Sequence, residues 1–367
     1  MGLFGPSRPS HYAVVDIGSS SIGAAYVSIH EKDAPLVVYA VRTPYEGRSA
    51  GPTDMLRTLD ATLRDLTTNG GPILKKVTGH AQVEGSYVYV GAPWQVSELT
   101  AKRVEKEKPF QFTKEMLAEA LRTAPGGRST IVASLMNGYE TVNPIGKRVK
   151  RADTIVLASH IEPQLQSLIY RAVRGATGSS KLQLYSFGEL APPAISAVAG
   201  GEEEFLVLRV TKNATSFAFI KRGLLAGTRS LAVGTRLFIE AARERGVSSL
   251  RSITEGKGLI DKSKSGRLAS RLEEAQRSWL LQVREGLREL AAGRALPRAV
   301  FLFAEGPDAH FVSRLLNAPE IHDLWLSDEP LTVVPITSHH FDPFLHRVEG
   351  SVEDPFLDAL ALVASRG

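Results

Sequence analysis

Asp16, Gly18, Ser19, Ser20 and Ser21 stand together at the end of the apolar run Tyr12 to Ile17. A glycine followed by serines in a turn lets backbone N–H groups and hydroxyls approach phosphate oxygens, and a carboxylate just before them can hold a hydrated Mg²⁺. The same string also suits a plain hairpin turn, which Asp, Gly and Ser favour for backbone reasons of their own. Other candidates carry less. His339, His340, Asp342 and His346 have metal-ligand chemistry, but adjacent histidines diverge on a strand and Pro343 interrupts them, so an ordinary surface loop is expected. Lys147 to Arg151 is a basic cluster without interleaved aromatics, which speaks for a solvated turn or an acidic protein partner and against nucleic acid. No Walker-type or Gly-x-Gly-x-x-Gly string occurs.

The elements around the serine turn follow from periodicity. Tyr12 to Gly18 reads as a buried strand, Ile22 to Ile29 and Pro35 to Thr43 as two more, and Met55, Leu56, Leu59, Leu63 and Leu66 recur at helical spacing. A strand at Ser86 to Val90 ends this first unit, residues 1–94. Composition turns charged from Lys102 to Lys108, and a small α+β unit is expected over 95–178, opening near Trp94, which reads as a packing anchor. The remainder, 179–367, repeats the opening with three strands (Glu204 to Val210, Ser216 to Ile220, Leu224 to Leu231). It becomes helical at about 234–297, returns to a strand at Ala299 to Ala304, and closes with a helix at Pro355 to Ala364. A strand meander turning into a helix thus occurs twice, as element order rather than residue identity.

The 367 residues carry 43% hydrophobic and 23% charged side chains, ordinary values for a folded globular chain. There is no cysteine, which excludes disulfides, thiolate metal sites and cysteine nucleophiles and makes the cytoplasm the default expectation. A net charge of +5 from 44 basic and 39 acidic residues produces no field that demands nucleic acid. No run is long and apolar enough for a membrane span, and neither a signal peptide nor a myristoylation signal is expected at the N-terminus.

Asp16-Ile-Gly-Ser-Ser-Ser21 resembles the first phosphate loop of the actin, hexokinase and Hsp70 superfamily. Met1-Gly-Leu-Phe-Gly5, and Gly138 to Gly146 followed by Lys147-Arg-Val-Lys150 and the unit to Arg174, resemble the start and the inserted subdomain of the FtsA and PilM type. The resemblance implies an α/β, actin-like two-lobed fold with duplicated β-meander/helix halves and an inserted α+β subdomain. It also implies ATP with Mg²⁺ in the cleft, held by Asp16, Gly18, Ser19, Ser20, Ser21 and Gly306.

Two of the three nucleotide loops depart from that pattern. Arg209 stands where a second acid is expected and Thr211 where its glycine would be, so a cation replaces a group that would orient Mg²⁺ or water. Arg209 and Lys212 could offer charge to phosphates or simply be solvated at a strand end. Ala304-Glu305-Gly306 replaces paired glycines at the adenosine turn. Hydrolysis is therefore not expected and no catalytic residue is assigned.

The resemblance implies a cytoplasmic scaffold recruited to the inner face of the membrane. Its inserted subdomain and nearby cleft would bind a membrane protein's cytoplasmic tail, most nearly as PilM does in type IV pilus assembly. The closing helix, with Arg366 as its one late basic residue, is better suited to closing the fold than to inserting into lipid. An FtsA-like division role and an active ATPase or small-molecule kinase on the same fold are the alternatives. Self-association stays open.

Overall fold

The computed structural model describes residues 9–30, 33–46, 51–122, 127–242, 262–304, 306–325 and 331–366. The opening Met1 to Gly5 and Glu305 of the adenosine turn lie outside the described residues.

Fifteen strands form three sheets among these residues. The first has the order β15-β3-β2-β1-β4-β9, from β1 (Ser10–Ile17), β2 (Ser21–Ile29), β3 (Leu36–Pro44), β4 (Gly85–Val90), β9 (Lys181–Tyr185) and β15 (His346–Arg347). The second has the order β12-β11-β10-β13-β14, from β10 (Glu204–Val210), β11 (Thr215–Lys221), β12 (Leu224–Leu231), β13 (Ala299–Ala304) and β14 (Thr332–Pro335). Apart from the short β15 the two orders are the same: an antiparallel meander, then two parallel strands added beside its first member. The duplication expected from strand order is therefore real at the level of topology.

The central strands of these two sheets are buried on both faces, which is why β1 and β10 read as nearly unbroken apolar runs rather than alternating ones. On the outer face of the first sheet, Met55, Leu59 and Leu63 of α1 (Pro52–Asp65) share a core with Leu165, Ile169 and Val173 of α4 (Pro163–Thr177). Two further helices, α2 (Gly71–Thr78) and α3 (Lys114–Arg122), are shorter. Between the sheets lie α5 (Phe187–Ser196) and the C-terminal α9 (Pro355–Ala364), whose apolar residues pack against Val14 and Val27 on one side and Phe205 and Val207 on the other. Every residue of α9 from Phe356 to Ala364 is buried, as suits a helix that is apolar apart from Asp358, which pairs with Arg347. Its start is fixed by Asp354, whose carboxylate accepts from the N–H groups of Phe356 and Leu357, with Pro355 in the first turn. The far face of the second sheet is covered by α6 (Arg236–Ala242), α7 (Lys262–Ala291) and α8 (Gly306–Leu316), with Trp279 of α7 fully buried against Phe238.

The third sheet, β5-β8-β6-β7, is the inserted subdomain. Its strands are β5 (Gln95–Gln111), β6 (Arg128–Met136), β7 (Tyr139–Glu140) and β8 (Arg148–Ile161), with a small core of Phe112, Met136, Val149 and Ala152. The charged stretch at Lys102 to Lys108, read as a change of unit, lies inside the long strand β5, whose side chains there are mostly solvated. The basic cluster likewise lies mostly in strand, since Arg148 already belongs to β8.

The third sheet ends with β8 at Ile161, and α4, within the expected 95–178 unit, packs into the core of the first sheet. The first lobe also takes β9, β15 and the final helix from the 179–367 segment, because β4 and β3 would otherwise be open edges and the inner face of the sheet uncovered.

Candidate functional site

Both meanders turn tightly at the same end. Ile17 pairs with Ile22 and Val210 with Thr215, so each turn spans four residues, 18–21 and 211–214. The same backbone bond closes both, Gly18 N to Ser21 O at 3.1 Å and Thr211 N to Ala214 O at 2.9 Å. Asp16 and Arg209 are each the residue before the last pair, so they occupy equivalent places in the two halves. The duplication brings them face to face.

Asp16 is fully buried and Arg209 nearly so. The two form a bidentate pair, Nη1 to Oδ1 at 2.9 Å and Nη2 to Oδ2 at 2.6 Å. Arg42 of β3 adds a bond from Nη2 to Asp16 Oδ2 at 2.7 Å, donates to Ser21 Oγ at 3.0 Å, and pairs through Nε with Asp354 at the start of α9. The result is a chain of alternating charge, Asp354, Arg42, Asp16, Arg209, with no net charge of its own. The Arg209 guanidinium lies over two aromatic faces, 3.5 Å from the Phe356 ring centroid and 4.9 Å from that of Tyr89. Burial alone would push Asp354 up, but Arg42 overrides it and holds the carboxyl below its ordinary value. For Arg209 burial pulls the other way, and the Asp16 charge more than offsets it, so the guanidinium stays protonated.

The serines are engaged as well. Thr211 Oγ1 donates to Ala214 O at 2.9 Å, so the 2.6 Å contact between Ser19 Oγ and Thr211 Oγ1 is donated by Ser19. Ser19 also accepts from Asn213 N at 3.2 Å, and its carbonyl accepts from Asn213 Nδ2 at 2.7 Å. Gly18 O accepts from Trp94 Nε1 at 2.8 Å and Tyr45 OH at 2.6 Å. A Cβ at Gly18 would sit 3.0 Å from Ser21 O and 3.3 Å from the Arg209 guanidinium, so the tight turn first and then the arginine leave room for glycine. Of the expected ligands, Asp16, Gly18, Ser19, Ser20 and Ser21 do converge in one turn, with the Ser20 hydroxyl buried and unpartnered. Gly306 begins α8 at the carboxyl end of β13.

These residues do not fit a Mg²⁺–nucleotide in this arrangement. The carboxylate that would face a hydrated cation is saturated by two guanidinium groups, and the hydroxyl nearest the second turn is spent on that turn. Asp16 and Ser19, expected to hold a cofactor, here bond to Arg209 and Thr211 of the other lobe. Arg209 is neither solvated nor free for phosphate, because its partner is internal. Beside the latch, at the carboxyl ends of β10, β13 and β14, remains a cavity of about 390 Å³, walled by Thr211, Phe303, Ala304, Ile336 and Phe356 together with the two arginines. A second groove of about 370 Å³ lies where the insertion meets both lobes, lined by Thr130, Leu157, Tyr185, Pro192 and Leu225 among others.

Arg42, Trp94, Thr211, Asn213 and Asp354 were not legible as site residues. One local signal exists for Arg42. It stands opposite Gly23, where a Cβ would come within 2.7 Å of its guanidinium.

Comparison with solved structures decides the fold. A structure of the PilM–PilN type IV pilus biogenesis complex superposes with a TM-score of 0.62 at 16% identity, covering 96% of this chain and 97% of that one. The chain has the actin-like ATPase fold. EutJ, an ethanolamine utilization protein from Carboxydothermus hydrogenoformans, matches more loosely, with a TM-score of 0.47 at 14% identity over 99% of this chain and 92% of that one. A Bacteroides thetaiotaomicron protein described as having an actin-like ATPase fold gives 0.41 at 10% identity over 97% and 96%. No protein-family model matches the sequence, and no curated protein does.

Proposed function

We propose that this chain is a non-hydrolysing, PilM-like scaffold of a type IV pilus or related envelope machine, which captures the cytoplasmic tail of a membrane protein. The observation that carries this is the Asp16–Arg209 pair, which ties the lobes together with the chain's own charges where the fold's enzymes need an open, metal-binding cleft. A similar solved structure is of PilM with PilN, and the resemblance extends over nearly the whole of both chains. The tail is assigned to the groove between the insertion and the lobes. Its wall mixes apolar surface from Leu157, Leu225 and Pro192 with the Arg128–Glu189 ion pair, a composition suited to a short extended peptide. Capture of a tail would place the protein at the inner face of the membrane.

The test is binding of the full chain to synthetic cytoplasmic tails of the inner-membrane pilus proteins from the same organism. Gln183 is exposed on the groove wall. Gln183→Arg should weaken capture at least about tenfold, roughly 1.4 kcal/mol, while the unfolding midpoint stays within about a degree. Binding to no tail, or equal loss of binding and stability, would overturn the reading.

A further inference from the structure

We infer that the tip of the inserted subdomain is a docking surface for an anionic bilayer, made by Tyr139, Val142 and Ile145 together with Lys147, Arg148 and Lys150. Three of the large apolar side chains that the described residues leave exposed fall within seven consecutive residues: Tyr139 is 81% exposed, Val142 91% and Ile145 45%. Elsewhere such side chains are scattered singly, which is normal; three within one seven-residue stretch are not.

The turn is held rigidly in this pose. Asn137 and Gly138 both have positive φ, 53° and 88°, the two-residue hairpin geometry that joins Met136 to its partner Tyr139. Asn137 Oδ1 accepts from Lys150 N and Arg151 N at 2.9 and 3.0 Å, pinning the hairpin to β8. Buried Pro144, and the bond from Gly146 N to Phe112 O at 2.8 Å, fix the other end. The apolar side chains are thus displayed by a braced backbone, and local collapse cannot hide them.

Charge selects the occupant. Residues 137–150 hold Lys147, Arg148 and Lys150 against Glu140, and among the described residues none of the three bases pairs with an acid. A Cβ at Gly138 would meet nothing within 4 Å, so the hairpin projects into open space, and the two cavities described above are lined by other residues. Exposed aromatic and aliphatic side chains followed closely in sequence by exposed Lys and Arg match the headgroup layer of an anionic leaflet: the rings and methyls enter the interface and the bases meet lipid phosphates. Each base near such a surface strengthens binding about fivefold, so three give on the order of a hundredfold over a neutral bilayer. The contact is peripheral, consistent with the expectation that the chain does not insert. It does not depend on tail capture, because the tip and the groove are separate surfaces.

The test is flotation of the full chain with protein-free vesicles of phosphatidylcholine alone or with a third phosphatidylglycerol. Binding to the anionic vesicles should exceed binding to the neutral ones by at least about tenfold at low salt, and fall as salt rises. The variant K147E/R148E/K150E should lose that excess, and Y139S/V142S/I145S should lose most binding at all salt concentrations. Both should keep the circular dichroism and unfolding midpoint of the parent, since all six side chains are exposed. Equal binding to both vesicles, or charge-reversed protein that floats like the parent, would overturn the proposal. So would capture of an acidic peptide that depends on these six residues while vesicle binding does not.

Discussion

Arg209 is a single side chain that changes what the cleft can do. Its pair with Asp16 is buried, so its worth is measured by what its loss leaves behind. Arg209→Met keeps most of the volume over Phe356 and Tyr89 but leaves Asp16 with Arg42 as its one remaining cation, an expected cost of about 3–5 kcal/mol in urea denaturation. The double variant D16N/R209M should cost clearly less than the sum of the single changes, because the uncompensated charge is then gone. His11 shows another single-residue effect. It is 3% exposed, neither ring nitrogen has a partner among the described residues, and it faces the His80 ring at 5.3 Å, with Glu84 and His30 nearby. Burial first, and then the neighbouring His80, lower its pKa below the ordinary 6.5. A lowered histidine contributes stability that is complete above 6.5 and is lost as pH falls, because the unfolded chain then takes up the proton more readily. Asp358 acts oppositely, since burial raises it to about 6 and its contribution declines as pH rises from about 4 through that value. Subtracting the pH profile of His11→Phe from that of the parent isolates the histidine. The variant should hold its stability relative to the parent at pH 7 and gain on it steadily down to pH 5; parallel profiles would refute the assignment.

Among the elements, α5 connects the insertion to the rest of the chain through Glu189. Its carboxylate accepts from Ser186 N and Ser186 Oγ, both at 2.8 Å, and from Thr130 Oγ1 at 2.6 Å, and it pairs with Arg128. One side chain therefore starts the helix and anchors β6. Glu189→Ala should cost about 2 kcal/mol, the worth of a helix-start bond plus a charge-assisted one left unpaired. Glu189→Gln should cost less, because an amide oxygen still caps the helix. Urea denaturation of the two variants distinguishes the cap from the anchor. Most elements were legible because period and burial agree. Pro163 and Pro355 open helices where apolar spacing begins, and β1 and β10 are apolar on both faces because both faces are covered. What the local pattern could not supply was membership. Nothing within Pro163–Thr177 says whether Leu165, Ile169 and Val173 will meet the insertion or Met55 and Leu59. The charged run in β5 looked like a change of unit because a strand solvated on most sides carries no apolar alternation.

At the scale of the whole molecule, two matching meanders close on each other through their turns, and the nucleotide is the ligand most directly affected. Mg²⁺–ATP at a hundred times its dissociation constant would add about 2.7 kcal/mol to the stability of a protein that binds it. With Asp16 held by the guanidinium groups of Arg209 and Arg42, millimolar Mg²⁺–ATP should leave the unfolding midpoint unchanged and no phosphate should be released. A clear upward shift in the parent, lost in Arg209→Met, would mean the arginine holds phosphate instead of excluding it.

The sequence alone determined the serine turn at Asp16, the two meanders, the inserted unit and the replacement of the second acid by Arg209, because each is written in contiguous residues as a period or a string. Only the tertiary structure decided what these residues touch. Asp16 meets Arg209 across 193 positions, and Arg42 meets Asp354 across 312, contacts that exist only once the halves fold onto each other. A carboxylate before a glycine turn is the same string whether its partner is a metal ion or a guanidinium. Which one it holds is set by the charge that the other lobe brings to that point.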